Sequence, residues 1–208
     1  NDEQGDEEDL VPEEEENFVS RLVITEVMAG GNEEFVEIYN PLGQEISLTD
    51  YYFSYFSVSR DWNNPFLNKK FSTSTLSVPA KTYLVIGLGD YSEQESDWKP
   101  YQTHLSDDNG AVALFSCDPS QATTTQLAID CKIDAVGWGQ PLVYETEAAT
   151  SSIDKSLSRK LSPDESGYLQ YVDTDNNNQD FEEQDTTPGQ QNYSPYSLMI
   201  LLSKADKK

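Results

Sequence analysis

Positive charge is scarce in this chain. Thirteen lysines and arginines stand against 38 aspartates and glutamates, a formal net charge of −25 over 208 residues. Nucleic-acid binding depends on neutralising phosphates with Lys and Arg. No Lys/Arg-rich run offers that footing, so nucleic acid is not expected as a direct partner. Long apolar runs are missing too. No run approaches the roughly 18 residues that a membrane-spanning helix needs. Histidine is down to one residue, His104. A Ser-His-Asp site would have to be built on it. There is no Gly-x-Ser-x-Gly elbow, no His-Glu-x-x-His and no Gly-Lys-Ser/Thr phosphate loop. Gly87-Leu88-Gly89 lacks a third glycine and a following helix. His104 reads instead as a surface or strand-end residue. Sustained helical periodicity is absent as well. Apolar residues make up only 36% of the chain, below the usual globular share.

That deficit is uneven. Residues 1–16 hold ten acids and no base. Such a stretch cannot bury enough apolar surface to offset its ordering entropy, so residues 1–18 are expected to form a disordered acidic linker. The chain begins at Asn1 without an initiator Met, as a mature or trimmed form would. Beyond the linker, strand signals dominate. Residues 21–29, 34–40, 46–55, 82–88, 111–116 and 133–138 are short runs rich in Val, Ile, Tyr and Phe. Gly30-Gly31-Asn32, Pro41-Leu42-Gly43 and Asp107-Asp108-Asn109-Gly110 are among the turn-formers between them. Asn109-Gly110 is a candidate for positive φ. Several short strands at this spacing predict a sandwich or barrel. Residues 194–208 contain Leu198-Met199-Ile200-Leu201-Leu202 and read as a C-terminal tail or edge strand.

Two segments near the ends bracket residues 19–193 as one domain. The first is Glu26-Val27-Met28, then Phe35-Val36-Glu37-Ile38-Tyr39-Asn40 and Leu48-Thr49-Asp50-Tyr51. The second is Asp173-Thr174-Asp175 with Asp180-Phe181, then Thr187-Pro188-Gly189 and Asn192. Between them lie Leu76-Ser77-Val78-Pro79 with Tyr83-Leu84-Val85, Leu105-Ser106 with Gly110 and Leu114, Asp134-Ala135-Val136-Gly137-Trp138-Gly139, and Ser156-Leu157-Ser158-Arg159. This ordered set resembles the lamin tail domain family, in its bacterial exported type. The resemblance implies an all-β, immunoglobulin-like sandwich. It also implies a non-enzymatic interaction module that is secreted or held at the cell surface as a lipoprotein and meets a protein or carbohydrate partner. The alternatives are an accessory domain of an extracytoplasmic hydrolase or nuclease, such an enzyme itself, and a structural spacer. An acidic run near the start resembles the export signal of some surface lipoproteins. It serves equally as a self-repelling, extended linker.

Export bears on the only two cysteines, Cys117 and Cys131. Were their flanking runs adjacent antiparallel strands, the pair would close across the hairpin base. Buried free thiols are the alternative. An oxidising compartment favours the disulfide.

Four groups of residues are candidates for chemistry or binding. Glu26 and Glu37 form a carboxylate pair of the kind that glycoside hydrolysis uses. The competing reading has each bonding a backbone amide or an arginine such as Arg159. Asp173, Asp175, Asn177 and Asp180 begin like a calcium loop, yet Asn178 and Gln184 stand where an EF-hand takes Gly and Glu. Asx turns account for such residues without metal, so no cofactor is expected beyond a possible structural calcium. The departures from the family pattern are two insertions, residues 51–70 and 118–130, and loops are where specificity tends to reside. The first carries Tyr55, Trp62 and Phe66 with Lys69 and Lys70, aromatic anchors beside cations. The competing reading is core packing beneath the loop.

Overall fold

The structure is a computed structural model. It describes residues 19–194 except residue 32, residues 72–75, residue 101 and residues 152–153. The expected acidic linker and the Leu198–Leu202 run lie outside the described residues. In chain order the strands are β1 (Val23–Met28), β2 (Phe35–Tyr39), β3 (Ile46–Ser47), β4 (Tyr52–Ser57), β5 (Leu67–Lys70), β6 (Ser77–Val78), β7 (Tyr83–Gly87), β8 (Gly110–Phe115), β9 (Lys132–Trp138), β10 (Ser156–Arg159), β11 (Leu161–Pro163), β12 (Leu169–Tyr171) and β13 (Phe181–Gln184). Among the described residues, helix is confined to a 3-10 turn, Pro119–Gln121, and to the short α1 (Thr125–Asp130) and α2 (Asn177–Asp180).

Two antiparallel sheets make the sandwich. One has the order β13-β10-β1-β2-β7 and the other β5-β4-β8-β9. Two small ladders, β3-β6 and β11-β12, lie outside them. Side chains alternate across each strand, because successive Cβ atoms point to opposite faces. From β2, Val36 and Ile38 enter the main core while Phe35 points the other way. From β8, Val112 and Leu114 enter the main core. Ala111, Ala113 and Phe115 face outward, where they meet Phe56, Trp62 and Ala128. Each large sheet is therefore covered on both faces. This explains why β8 reads as a continuous apolar run with all six residues buried.

The strand expectations hold for β1, β2, β7, β8 and β9. The run 46–55 does not form one strand. It breaks at a turn in which Tyr51 N donates to Leu48 O at 2.9 Å, and its halves join different ladders. Neither Asn109 nor Gly110 has positive φ. Gly110 is required for space instead, since a Cβ there would lie 2.8 Å from the Trp138 ring. The left-handed residue at that end is Gly139, φ 72°, where a Cβ would sit 2.0 Å from Asp108 O.

The cysteines form a disulfide, Cys117–Cys131, with Cα atoms 5.8 Å apart. They sit just after β8 and just before β9. The bond clamps the base of the 118–130 insertion.

Candidate functional site

Glu26 and Glu37 are register partners on β1 and β2, and both are fully buried. After β13 the chain turns back across the outer face of the five-stranded sheet and seals them. Thr187 N donates to both Glu26 oxygens at 3.1 Å, and Thr187 Oγ1 adds a bond at 3.0 Å. Gly189 N donates to Glu37 Oε2 at 2.6 Å, and Thr25 Oγ1 donates to Oε1 at 2.7 Å. Burial pushes the Glu37 carboxyl up to about 8, against the pull of Thr25, and the neighbouring Glu26 charge adds to the rise. Burial likewise raises Glu26. The pair thus acts as a latch for the Thr187-Pro188-Gly189 turn. Asn192 completes it, its side-chain amide donating to Thr25 O and Arg159 O.

Arg159 does not bond Glu26 or Glu37 among the described residues. Its guanidinium is buried behind β10. It grips Asp134 through two bonds, of 3.0 and 2.8 Å. It also reaches Ile24 O, Val172 O and Asp173 Oδ1, and it lies 4.6 Å from the centroid of the Phe181 ring. Burial works against the arginine's charge, but Asp134, Asp173, Glu145 and Asp180 outweigh it and hold it protonated. Burial raises Asp134 to about 6, with Arg159 pulling the other way. Beside this cluster Lys132 bonds Glu145, whose carboxyl burial also raises.

The four candidate calcium ligands border this network. Asp173 is paired with Arg21 and Arg159. Asp175, at φ 53°, reaches Arg21 and Lys132. Asn177 turns its amide toward β9, accepting from Gly137 N and donating to Ala135 O. Asp180 accepts from Thr174 N and Thr174 Oγ1. Asn176 caps α2. Each side chain is thus engaged by protein donors or cations, in the manner of Asx turns and caps. The described residues that bring three carboxylates within 4.8 Å of one another are Asp134, Glu145 and Asp173, around the Arg159 and Lys132 cations. Of the four, only Asp173 belongs to that group.

The aromatic insertion divides. Tyr55 is 3% exposed, and its hydroxyl accepts from Ser106 N at 2.9 Å. Trp62 is 7% exposed and packs edge-on against Phe115, on the outer face of the four-stranded sheet. Short turns at Arg60 and Asn64 fold the loop back and carry Trp62 there. As partner anchors these two rings are spent on packing. Phe66 remains 57% exposed, lying edge-on to Tyr55. Lys69 is half-buried on β5. Lys70 is exposed, bonded to Asp50 and lying over the Tyr52 ring.

One feature was illegible in the sequence. The two insertions dock on each other. Asn68 Nδ2 donates to Asp118 Oδ1 at 2.6 Å, Thr125 Oγ1 to Asp61 Oδ2 at 3.2 Å and Asn63 Nδ2 to Ala122 O at 3.4 Å. Val58 and Phe66 of the first insertion and Leu127 of the second stay exposed. His104 stands apart, half-exposed, with Nδ1 3.2 Å from the buried Glu34 carboxylate.

The sequence pattern of the Lamin Tail Domain family matches residues 17–140. No curated protein matches the chain. The fold is similar to the crystal structure of a DUF4876 family protein from Bacteroides thetaiotaomicron VPI-5482, with a TM-score of 0.62 at 16% identity over 81% of this chain and 72% of that one. The family match ends before β10 and β13, yet those strands complete the five-stranded sheet.

Proposed function

We propose, from the premise that this chain belongs to the lamin tail domain family, that it is a non-enzymatic interaction module working outside the cytoplasm. It is secreted or displayed at the cell surface as a lipoprotein, and it meets a protein or carbohydrate partner there. The observation that supports this most is the composite surface formed by the two insertions, clamped at its base by Cys117–Cys131. A disulfide of this kind persists in oxidising compartments. A surface held rigid before binding avoids part of the ordering cost of association. The carboxylate pair that most resembles catalytic machinery is sealed under a backbone turn.

Recognition falls to Phe66 with Lys69 and Lys70. The test is a screen of glycans and purified surface proteins against the wild type, Phe66→Ala and Lys69→Ala/Lys70→Ala. Loss of binding in these variants, with folding intact, supports the assignment. A partner whose binding none of them weakens places recognition elsewhere. Turnover of an ester, phosphoester or glycoside that disappears in Glu26→Gln or Glu37→Gln would overturn the non-enzymatic reading.

A further inference from the structure

A cleft of about 710 Å³ opens on the outer face of the five-stranded sheet, far in sequence from the insertions. Its floor is Met28, Phe35, Val85 and Tyr91. One wall is the loop after β7, and the other is the returning segment that holds Asp185 to Gly189. Ligand clefts run to roughly 300–1,000 Å³, so the size is that of a binding site.

The rim is acidic. Glu33, Glu95, Asp97, Asp154 and Asp185 line it, and among the described residues no lysine or arginine does. Two of these carboxylates are occupied. Asp97 accepts from Val85 N at 2.8 Å, and Asp185 is bonded to Lys155. Glu33, Glu95 and Asp154 have no bonded partner among the described residues.

A second observation is independent of the rim. Tyr91 is 6% exposed, yet among the described residues its hydroxyl makes no hydrogen bond. Its backbone is engaged, N to Leu88 O and O from Lys99 Nζ. Buried phenol hydroxyls normally find a partner. This one is not sealed in the core, because no fully buried polar side-chain atom among the described residues lacks a bond. It opens into the cleft. Burial and then the neighbouring Glu95 and Glu33 charges oppose its ionisation.

We propose that this cleft binds an organic cation, the ammonium or guanidinium of a Lys or Arg side chain in a basic peptide segment of a partner protein. The aliphatic stem lies over Met28, Phe35 and Val85. The N–H donors are shared between the Tyr91 hydroxyl and the Glu33, Glu95 and Asp154 carboxylates, and such charge-assisted bonds are the strong ones. The aromatic floor adds attraction for a cation. The cleft holds more than one side chain, so residues flanking the cation enter with it. This names the partner chemistry within the interaction-module reading and rests on that reading. It concerns a different surface from the insertions.

The experiment is calorimetric titration at low ionic strength with a capped Lys-Leu-Lys peptide, the same peptide with norleucine replacing both lysines, and spermidine. The Lys peptide is expected to bind and the norleucine peptide not to. The affinity should fall with added salt. Glu33→Gln/Glu95→Gln, both at exposed positions, should weaken binding about tenfold, and Tyr91→Phe about threefold with an unchanged unfolding midpoint. Asp108→Asn/Glu147→Gln removes the same number of charges near the start of β8 and beyond the end of β9, away from the cleft lining, and should leave affinity unchanged. No binding of the Lys peptide overturns the proposal. So does equal weakening by the control variant, equal binding of the norleucine peptide, or binding of spermidine alone. A failed titration removes this cleft only. The Phe66 and Lys69/Lys70 variants judge the interaction-module reading separately.

Discussion

Replacing Glu37 with Gln should remove a pH dependence from the stability of this fold. Glu37 is fully buried, with its carboxyl held from the ordinary 4.5 up to about 8. Between those values the folded chain keeps a proton that the unfolded chain has released. Stability therefore falls as pH rises across that window. At about 1.36 kcal/mol per pKa unit the loss is on the order of 4 kcal/mol by its upper end. A neutral carboxyl and an amide are nearly the same shape. The Gln oxygen can accept from Gly189 N while its NH₂ group donates to Thr25 Oγ1, the two partners Glu37 has now. Glu37→Gln should match the wild type near pH 4.5 and exceed it increasingly towards pH 8. Asp134 and Glu145 are raised too, so the wild-type slope alone is not diagnostic. The quantity to measure is the difference between the two proteins in urea midpoints, read by tryptophan fluorescence across that range. A difference that does not change with pH would mean Glu37 is ionised throughout, and the argument would fail.

Reduction of Cys117–Cys131, which closes a loop with a sequence separation of 14, should cost about 3 kcal/mol by the loop-entropy argument. Equal urea midpoints with and without reductant would contradict it. Arg159→Met leaves the buried Asp134 without its bonded cation, and removing one partner of such a network costs roughly 3–5 kcal/mol. A variant with wild-type stability would show that the guanidinium contributes little. Trp62→Ala should lose about 3–5 kcal/mol as a truncated packed ring, whereas the exposed Phe66→Ala should stay within about 0.5 kcal/mol. The reverse order would show the two rings assigned to the wrong environments. Calcium should leave the unfolding midpoint unchanged, because a ligand stabilises only by binding the folded state and the oxygens of Asp173, Asp175, Asn177 and Asp180 already carry protein partners. A rise in the midpoint that grows with calcium would restore the metal reading.

Local pattern by itself determined a good part of this molecule. Alternating or continuous runs of β-branched and aromatic residues mark β1, β2, β7, β8 and β9, because a strand half-buried or fully buried in a sheet leaves that signature in its own few residues. The ordered motifs named the family, and the two cysteines flanking neighbouring strand runs indicated the disulfide. Short or polar strands were not visible this way. β5 is Leu67-Asn68-Lys69-Lys70 and β13 is Phe181-Glu182-Glu183-Gln184, and both are strands because a partner strand supplies their hydrogen bonds. The six-residue α1 is too short for a period to show. What only the tertiary structure decided is which distant residues meet. Glu26 is latched by Thr187, 161 residues away, and Arg159 on β10 reaches Ile24 on the neighbouring β1 and Asp134 on β9 of the other sheet. A glutamate on a strand looks the same in sequence whether water, an arginine or a backbone amide will satisfy it. The aromatics of the first insertion carry the same ambiguity. Tyr55 was buried by the sandwich core and Trp62 by the loop folding onto the outer face of β8, while Phe66 was left outside, since burial depends on what packs above a residue and not on the residue itself.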